Sequence, residues 1–242
     1  MSLQIPLTIQ LRDHASLQNF VAGPNAEVLQ RLQGCIDPSS RDGSIYVWGA
    51  NGTGKTHLLQ GTCQQAGSQD LPSVYLSLAQ KHELAPEMLE GLEQMQVVCV
   101  DDLQHLRGDR DWQEALFHLY NRCLETGCQL VFAADRNIAE LQLELADLSS
   151  RLAWGVVFQL KLLNDEQKLA ALRLRAQLRG FDLPEKVGVY LLRRCPRDMH
   201  ALFATLDALD KATLAAKRRL TLPFVREWLE ASDLRDDQGD LF

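Results

Sequence analysis

Residues 49–56 read Gly-Ala-Asn-Gly-Thr-Gly-Lys-Thr, which satisfies the spacing G-x-x-x-x-G-K-[ST]. A chain of this composition yields about 0.002 such matches by chance. The context narrows the reading further. The apolar run Ile45-Tyr46-Val47-Trp48 precedes the segment and the helical stretch 57–63 follows it. Glycines at these places let backbone N–H groups turn inward around a phosphate, where a helix N-terminus adds partial positive charge. In such a loop Gly49, Asn51, Gly52, Thr53 and Gly54 form the cradle. Lys55 neutralises β/γ oxygens, and the Thr56 hydroxyl holds Mg²⁺. The competing explanation is a glycine-rich turn ahead of a helix. Either way the chain is committed to a strand–loop–helix unit, and so to an α/β sheet.

The flanking pattern agrees. Short apolar runs at 45–48, 74–76, 97–100, 130–133 and 156–158 alternate with helical patterns. Runs without alternation suit strands of a parallel sheet covered on both faces. Between the third and fourth runs, Trp112, Leu116, Leu119 and Cys123 recur at helical spacing, with Asp111 as a candidate N-cap and Gly127 as the stop. This βαβ rhythm predicts five parallel strands, with ligands bound at their carboxyl ends. After about residue 161 the strand signals cease. Asp165 is a candidate cap for a helix ending near Gly180, Pro184 starts another, and Pro196 suits the first position of a third. Residues 220–229 supply a last short helix. The expected organisation is an N-terminal segment 1–11, an α/β nucleotide-binding body 12–161, an all-helical lid 162–231 and an acidic tail 232–242.

Charge follows the same division. The chain carries 25 Lys+Arg against 32 Asp+Glu, net −7. Residues 1–155 hold 10 basic and 19 acidic groups, whereas residues 156–231 hold 14 and 9. An acidic body followed by a basic section suggests two parts with different neighbours, and argues against indiscriminate binding to nucleic acid. With 242 residues, 46% of them hydrophobic, the chain is too apolar for disorder and long enough for a real core. Its longest apolar runs are far below the roughly 20 residues that span a bilayer, and no signal-peptide pattern opens it. The six cysteines contain no C-x-x-C pair and read as reduced residues of a cytoplasmic protein. The histidines show no zinc spacing.

Strand ends carry the remaining chemistry. Asp101 and Asp102 close the third run, where an ATPase keeps its second acidic motif. Asp101 is the candidate Mg²⁺ ligand and Asp102 the candidate for orienting an attacking water; the alternative is a pair of solvated carboxylates. Asp135 ends the fourth run and reads as a phosphate-sensing group or a turn cap. Arg151 precedes the fifth run and reads as a functional arginine or a helix-terminal charge. Arg197 reads as a phosphate contact from the helical section or a surface charge. His57, directly after Thr56, packs or caps rather than catalyses.

As a set, these pieces resemble the AAA+ ATPase module, and within it the family of the bacterial replication initiator DnaA. The segment Asn19-Phe20-Val21-Ala22-Gly23-Pro24-Asn25 is similar to the initiator's motif beside the adenine. Residues 54–59, Gly-Lys-Thr-His-Leu-Leu, resemble its phosphate loop, and 101–104, Asp-Asp-Leu-Gln, its Walker B ending. Ala134-Asp135-Arg136 resembles sensor 1, residues 149–155 the arginine-finger segment, and Arg197 falls at sensor 2. The likeness spans about residues 12–230. The chain opens with Gln4-Ile5-Pro6-Leu7-Thr8-Ile9, similar to a hexapeptide that docks on the replicative sliding clamp, and it stops where the initiator continues into its DNA-binding domain. That departure is the pattern of regulatory inactivators of DnaA.

The resemblance implies the following expectations. Phe20, Asn25, His57 and Arg197 join the loop residues around ADP, or ATP, with Mg²⁺ on Thr56 and Asp101. Gln4, Ile5, Leu7 and Ile9 bind the DNA polymerase III sliding clamp (its beta subunit). Arg151 acts in trans on ATP bound to DnaA, so that initiation is restrained. DNA is reached mainly through the clamp, no membrane is involved, and a homodimer stays open. Two rivals stay open beside it. One is an AAA+ helicase loader that binds single-stranded DNA; the other is a small phosphotransferase.

Overall fold

A computed structural model describes residues 15–37 and 43–239, with side chains described as far as residue 231. Contacts divide the chain into two compact units, with the division between Leu162 and Leu163. The first begins with a short helical turn, Leu17–Asn19, closed by a reciprocal cap in which Ser16 and Asn19 bond each other's backbone. Then follow α1 (Ala26–Gly34), β1 (Ser44–Trp48), α2 (Lys55–Gly67), β2 (Ser73–Ser77), β3 (Val97–Asp101), α3 (Arg110–Thr126), β4 (Gln129–Ala134), α4 (Ala146–Trp154) and β5 (Val156–Gln159).

All five strands are parallel, in the order β2-β3-β4-β1-β5. The sheet separates two apolar layers. Tyr46, Val98, Val100 and Phe132 face α3 and α4 through Leu116, Leu119, Leu148 and Leu152. Ile45, Val47, Cys99 and Val131 face α1 and α2 through Val28, Leu32, Leu58 and Leu59. Each fully buried aliphatic side chain contributes about 1.5–3 kcal/mol relative to exposure. The central strands β1, β3 and β4 are therefore apolar on both faces, as their runs suggest. The two edge strands are not: β2 and β5 alternate between more and less covered positions. An edge strand has one neighbour and a helix layer that thins out over it, so a continuous apolar run at 156–158 still ends half exposed.

Local signals set the helix limits with some corrections. Asp109, not Asp111, caps α3, accepting from Trp112 N at 3.4 Å, and Gly127 ends it in the left-handed region. Four of the six cysteines are buried, and burial pushes the Cys35 thiol up to about 12, out of the reactive range.

The second unit holds α5 (Asp165–Leu178), α6 (Glu185–Arg194), α7 (Met199–Ala216) and α8 (Leu222–Gly239). Asn164, one residue before Asp165, caps α5 in a reciprocal box with Gln167. Pro196 lies ahead of α7 rather than in its first turn, because Asp198 takes the cap, accepting from His200 N and Ala201 N. α8 continues to Gly239, through most of the segment read from composition as a tail. Leu172, Leu191, Leu202, Leu206 and Val225 are fully buried. Arg175 on α5 and Arg179 at its C-cap reach Asp207 and Asp210 on α7 in a linked set of ion pairs at 2.5–3.0 Å. Among the described residues no helix is long and apolar enough to cross a membrane.

Candidate nucleotide site

The carboxyl ends of β1, β3 and β4 bring one group of residues together. Gly49 follows β1, and its N–H donates to Ala134 O at 3.2 Å, which ties the loop to the end of β4. A Cβ on Gly49 would stand 2.8 Å from Leu160 O, so only glycine lets the chain turn there. Gly54 has φ +96°, in the left-handed region that glycine occupies without strain. A Cβ on it would also meet the ring of Phe20 at 2.7 Å. The segment before α1 thus lies directly over the loop. Phe20 packs against His57, and the His57 ring nitrogen Nε2 bonds Ser16 O at 2.9 Å.

Lys55 opens α2 and is buried. Its ammonium donates to Gly49 O at 2.7 Å and Ala50 O at 3.1 Å. Thr53 is buried too and donates to the same Ala50 carbonyl at 2.8 Å, whereas Asn51 is exposed at the loop's tip. Burial lowers the Lys55 pKa, and the charges of Asp101, Asp102 and Asp135 oppose that shift. One cation therefore sits among three carboxylates, beside the positive end of a helix.

Asp101, at the end of β3, is wholly buried. Its Oδ2 accepts from Thr56 Oγ1 at 2.7 Å and Tyr75 OH at 3.0 Å, and its Oδ1 accepts from Asp102 N at 2.9 Å. Burial raises its pKa, Asp102 raises it further, and the Thr56 and Tyr75 hydrogen bonds oppose both. A desolvated carboxylate beside a hydroxyl is an oxygen donor pair suited to a hard cation such as Mg²⁺. Among the described residues no group of three or more His, Cys, Asp or Glu is arranged to hold a metal. A cation on Asp101 and Thr56 would fill its shell with phosphate oxygens and water, the usual arrangement for Mg²⁺. The residues present fit a magnesium nucleotide.

Asp102 takes a left-handed backbone, φ +63°, and its carboxylate is already engaged. Ser77 Oγ donates to one oxygen at 2.7 Å and Gln104 Nε2 to the other at 3.0 Å. Gln104 Oε1 in turn accepts from Asp135 N at 3.2 Å, which links the ends of β3 and β4. Asp135 is gripped by Arg136 through two bonds at 2.6 and 2.8 Å, and that grip holds its carboxyl below the usual range. Tyr46 OH donates to Arg136 O at 2.8 Å and anchors the turn.

The other expected residues have their own local contacts. Asn25 is buried, but both ends of its amide are spent on Lys161, Nδ2 donating to the carbonyl at 3.0 Å and Oδ1 accepting from the N–H at 2.8 Å. It joins the N-terminal segment to the chain leaving β5. Arg151 lies on α4, its guanidinium carbon 4.3 Å from the centre of the Trp154 ring. Arg197 belongs to the helical unit, in the loop before α7 and not inside the helix, 3.4 Å from Asp165. Gln4, Ile5, Leu7 and Ile9 lie outside the described residues.

Ser77, Tyr75 and Arg136 carry much of the geometry, yet sequence reasoning gave them no role. Ser77 and Tyr75 sit on β2, whose register sets Ser77 opposite Asp101. Only the pairing of β2 with β3 makes them relevant. For Arg136 a signal existed, since a charge beside Asp135 is a ready partner for it.

This geometry is accompanied by clear relatives. Residues 11–159 match the model of the bacterial DnaA ATPase domain. The chain belongs to the DnaA ATPase family. Residues 165–229 match the Hda lid domain, which makes it a DnaA-like AAA+ protein with a lid of the Hda type. Domain III of the Thermotoga maritima replication initiation protein DnaA is similar at 23% identity and a TM-score of 0.77, covering 90% of this chain and 96% of that one. AMPPCP-bound DnaA from Aquifex aeolicus is similar at 22% identity and a TM-score of 0.71, covering 83% and 66%. A replication initiator DnaA bound to AMPPCP and single-stranded DNA is similar at 22% identity and a TM-score of 0.70, covering 86% and 69%. At these identities the structures speak for the fold, and this chain spans about two thirds of the longer ones.

Proposed function

We propose that this protein restrains replication initiation by promoting hydrolysis of ATP bound to DnaA. It holds its own nucleotide, ADP in the resting form, between the loop 49–56 and the segment carrying Phe20. Thr56 and Asp101 would hold Mg²⁺, which would supply charge neutralisation to the phosphates. The observation that carries the reading is Arg151 on a DnaA-type body with an Hda-type lid. Arg151 stands on α4, and among the described residues no carboxylate neutralises it. Its charge and N–H fork are free for a phosphate presented by another molecule.

In that partner, water attacks the γ-phosphorus, the bond to the β-bridging oxygen breaks, and ADP, phosphate and a proton are released. Negative charge builds on the transferring oxygens, and a guanidinium placed there in trans speeds such reactions by about 10³–10⁵-fold. In the chain's own site, Ser77 and Gln104 each donate to one Asp102 oxygen and fix its orientation, leaving acceptor positions on both. Residues 4–9 bring the protein to the DNA-loaded clamp, since a short apolar segment with a leading glutamine suits insertion into a pocket. DNA is engaged through that clamp.

The test is stimulation of DnaA ATPase by the full chain with clamp loaded on DNA. Arg151→Ala is expected to abolish stimulation while ADP affinity stays at the wild-type value. Arg151→Lys is expected to rescue poorly, because a point charge does not reproduce the planar fork. Full stimulation by Arg151→Ala overturns the reading. Tight binding of single-stranded DNA at physiological salt, with no effect on DnaA, would favour the helicase-loader alternative.

A further inference from the structure

Trp154 occupies the last position of α4 with 69% of its surface exposed. A tryptophan used for packing hides 150–250 Å², so this ring serves something other than the core. Its backbone is not loose. Leu148 and Leu152, both fully buried, fix the helix from below. Gly155, the next residue, lies so close to Ser44 at the start of β1 that a Cβ would collide with the Ser44 carbonyl and hydroxyl. The ring therefore projects from a rigid point.

What the ring touches is Arg151, one helical turn earlier, at 4.3 Å. Other arginines of the chain are held in several ways: Arg136 by Asp135 and Arg122 by Glu93, Arg175 and Arg218 by a carboxylate together with a ring, and Arg226 over the Tyr190 ring at a longer 5.4 Å. A carboxylate would fix Arg151 equally well, but it would neutralise the charge and occupy the N–H fork. An aromatic face orients a guanidinium through its quadrupole and leaves both free. A group meant to meet a developing anion needs that second kind of support.

We propose that Trp154 is a positioning residue for Arg151, a π-surface that pre-orders the guanidinium for delivery to a triphosphate outside this chain. The proposal rests on the trans-acting reading of Arg151. Its effect falls on the rate at saturation, because the stack limits the orientations of the side chain before any partner arrives. A residue that only contacted the partner would alter the concentration needed instead.

Two substitutions separate ring from bulk. Trp154→Phe keeps a π-face, whereas Trp154→Leu keeps apolar volume and helix propensity without one. The first measurement needs no partner. In the ADP-bound full chain, ¹⁵N relaxation of the Arg151 Nε–H, assigned by its disappearance in Arg151→Lys, reports the order of the guanidinium. Its order parameter is expected to fall clearly in Trp154→Leu and to be largely kept in Trp154→Phe. The second measurement is clamp-dependent stimulation of DnaA ATPase as a function of the concentration of this protein. Trp154→Leu is expected to lower the maximal rate about three- to fivefold, as an exposed cation–π contact predicts. The half-saturating concentration should stay within about twofold, and Trp154→Phe should recover most of the rate. An unchanged order parameter overturns the proposal. So does a change confined to the half-saturating concentration, or Trp154→Phe as impaired as Trp154→Leu. If Arg151→Ala is inactive while Trp154→Leu matches wild type, only the role of Trp154 falls. If Arg151→Ala is itself fully active, the trans-acting reading falls and this proposal with it.

Discussion

Gly155→Ala tests how tightly the end of α4 is joined to the sheet. Gly155 has φ −79° and ψ −173°, a conformation open to any residue, so backbone strain plays no part. Space decides the outcome. The added methyl would overlap the carbonyl oxygen, carbonyl carbon and hydroxyl of Ser44. Ser44 cannot retreat: it is 1% exposed, opens the strand flanked by β4 and β5, and shares a hydrogen bond with Tyr120 OH at 3.2 Å. Overpacking of this kind costs about 1–3 kcal/mol. At about 2–4 °C per kcal/mol for a chain of this size, a mid-range cost lowers the thermal midpoint by about 4–8 °C. Gly67→Ala is the control. It ends α2 with nothing within 4 Å of the added Cβ, and is expected to raise stability by about 0.4–1 kcal/mol through the unfolded state. Both variants are followed by circular dichroism on heating and by urea titration. If Gly155→Ala melts at or above the wild-type temperature, α4 is not clamped to β1, and the rigid placement of Arg151 and Trp154 loses its basis.

Lys55→Ala removes the cation proposed to meet the phosphates. Charge-assisted contacts of about 1.5–3 kcal/mol imply at least tenfold weaker ADP binding by calorimetry. At ADP equal to 100 times the wild-type Kd, ligand stabilisation falls from about 2.7 to about 1.4 kcal/mol for a tenfold loss; equal affinity refutes the loop assignment. Asp135→Asn probes the Arg136 grip through pH. A carboxyl with a lowered folded pKa adds stability above its unfolded value of about 4, and loses it as pH falls through the folded value. The urea midpoint of the variant should therefore lie slightly below wild type at pH 7, with Arg136 partly solvent-screened, and merge with it in acid once the folded carboxyl is protonated. A gap that does not narrow on acidification contradicts this account. Substituting Gln4 and Leu7 together with Ala should abolish clamp binding in a pull-down while the thermal midpoint stays put; retained binding would rule out residues 4–9 as the clamp-binding segment.

The sequence by itself determined the strand–loop–helix at 45–63, the five apolar runs and the change to an all-helical section after about residue 161. These are local matters. Glycine spacing and apolar periodicity act within a few residues, so a linear string holds the terms that set them, while the capping residues fell one or two positions from the candidates. Asp101, Asp102 and Asp135 were legible as strand-end carboxylates for the same reason. Only the tertiary structure decided what those carboxylates face. The order β2-β3-β4-β1-β5 puts Ser77 and Tyr75 against the aspartates of β3, and lets Gln104 bridge to the end of β4. It also turned Asn25 toward Lys161 and left the run at 156–158 on an open edge. None of these contacts has a sequence signature, because each joins residues whose separation along the chain is unrelated to their separation in space. Strand order is fixed by which faces the helices can cover at once, a property of the whole sheet rather than of any segment in it.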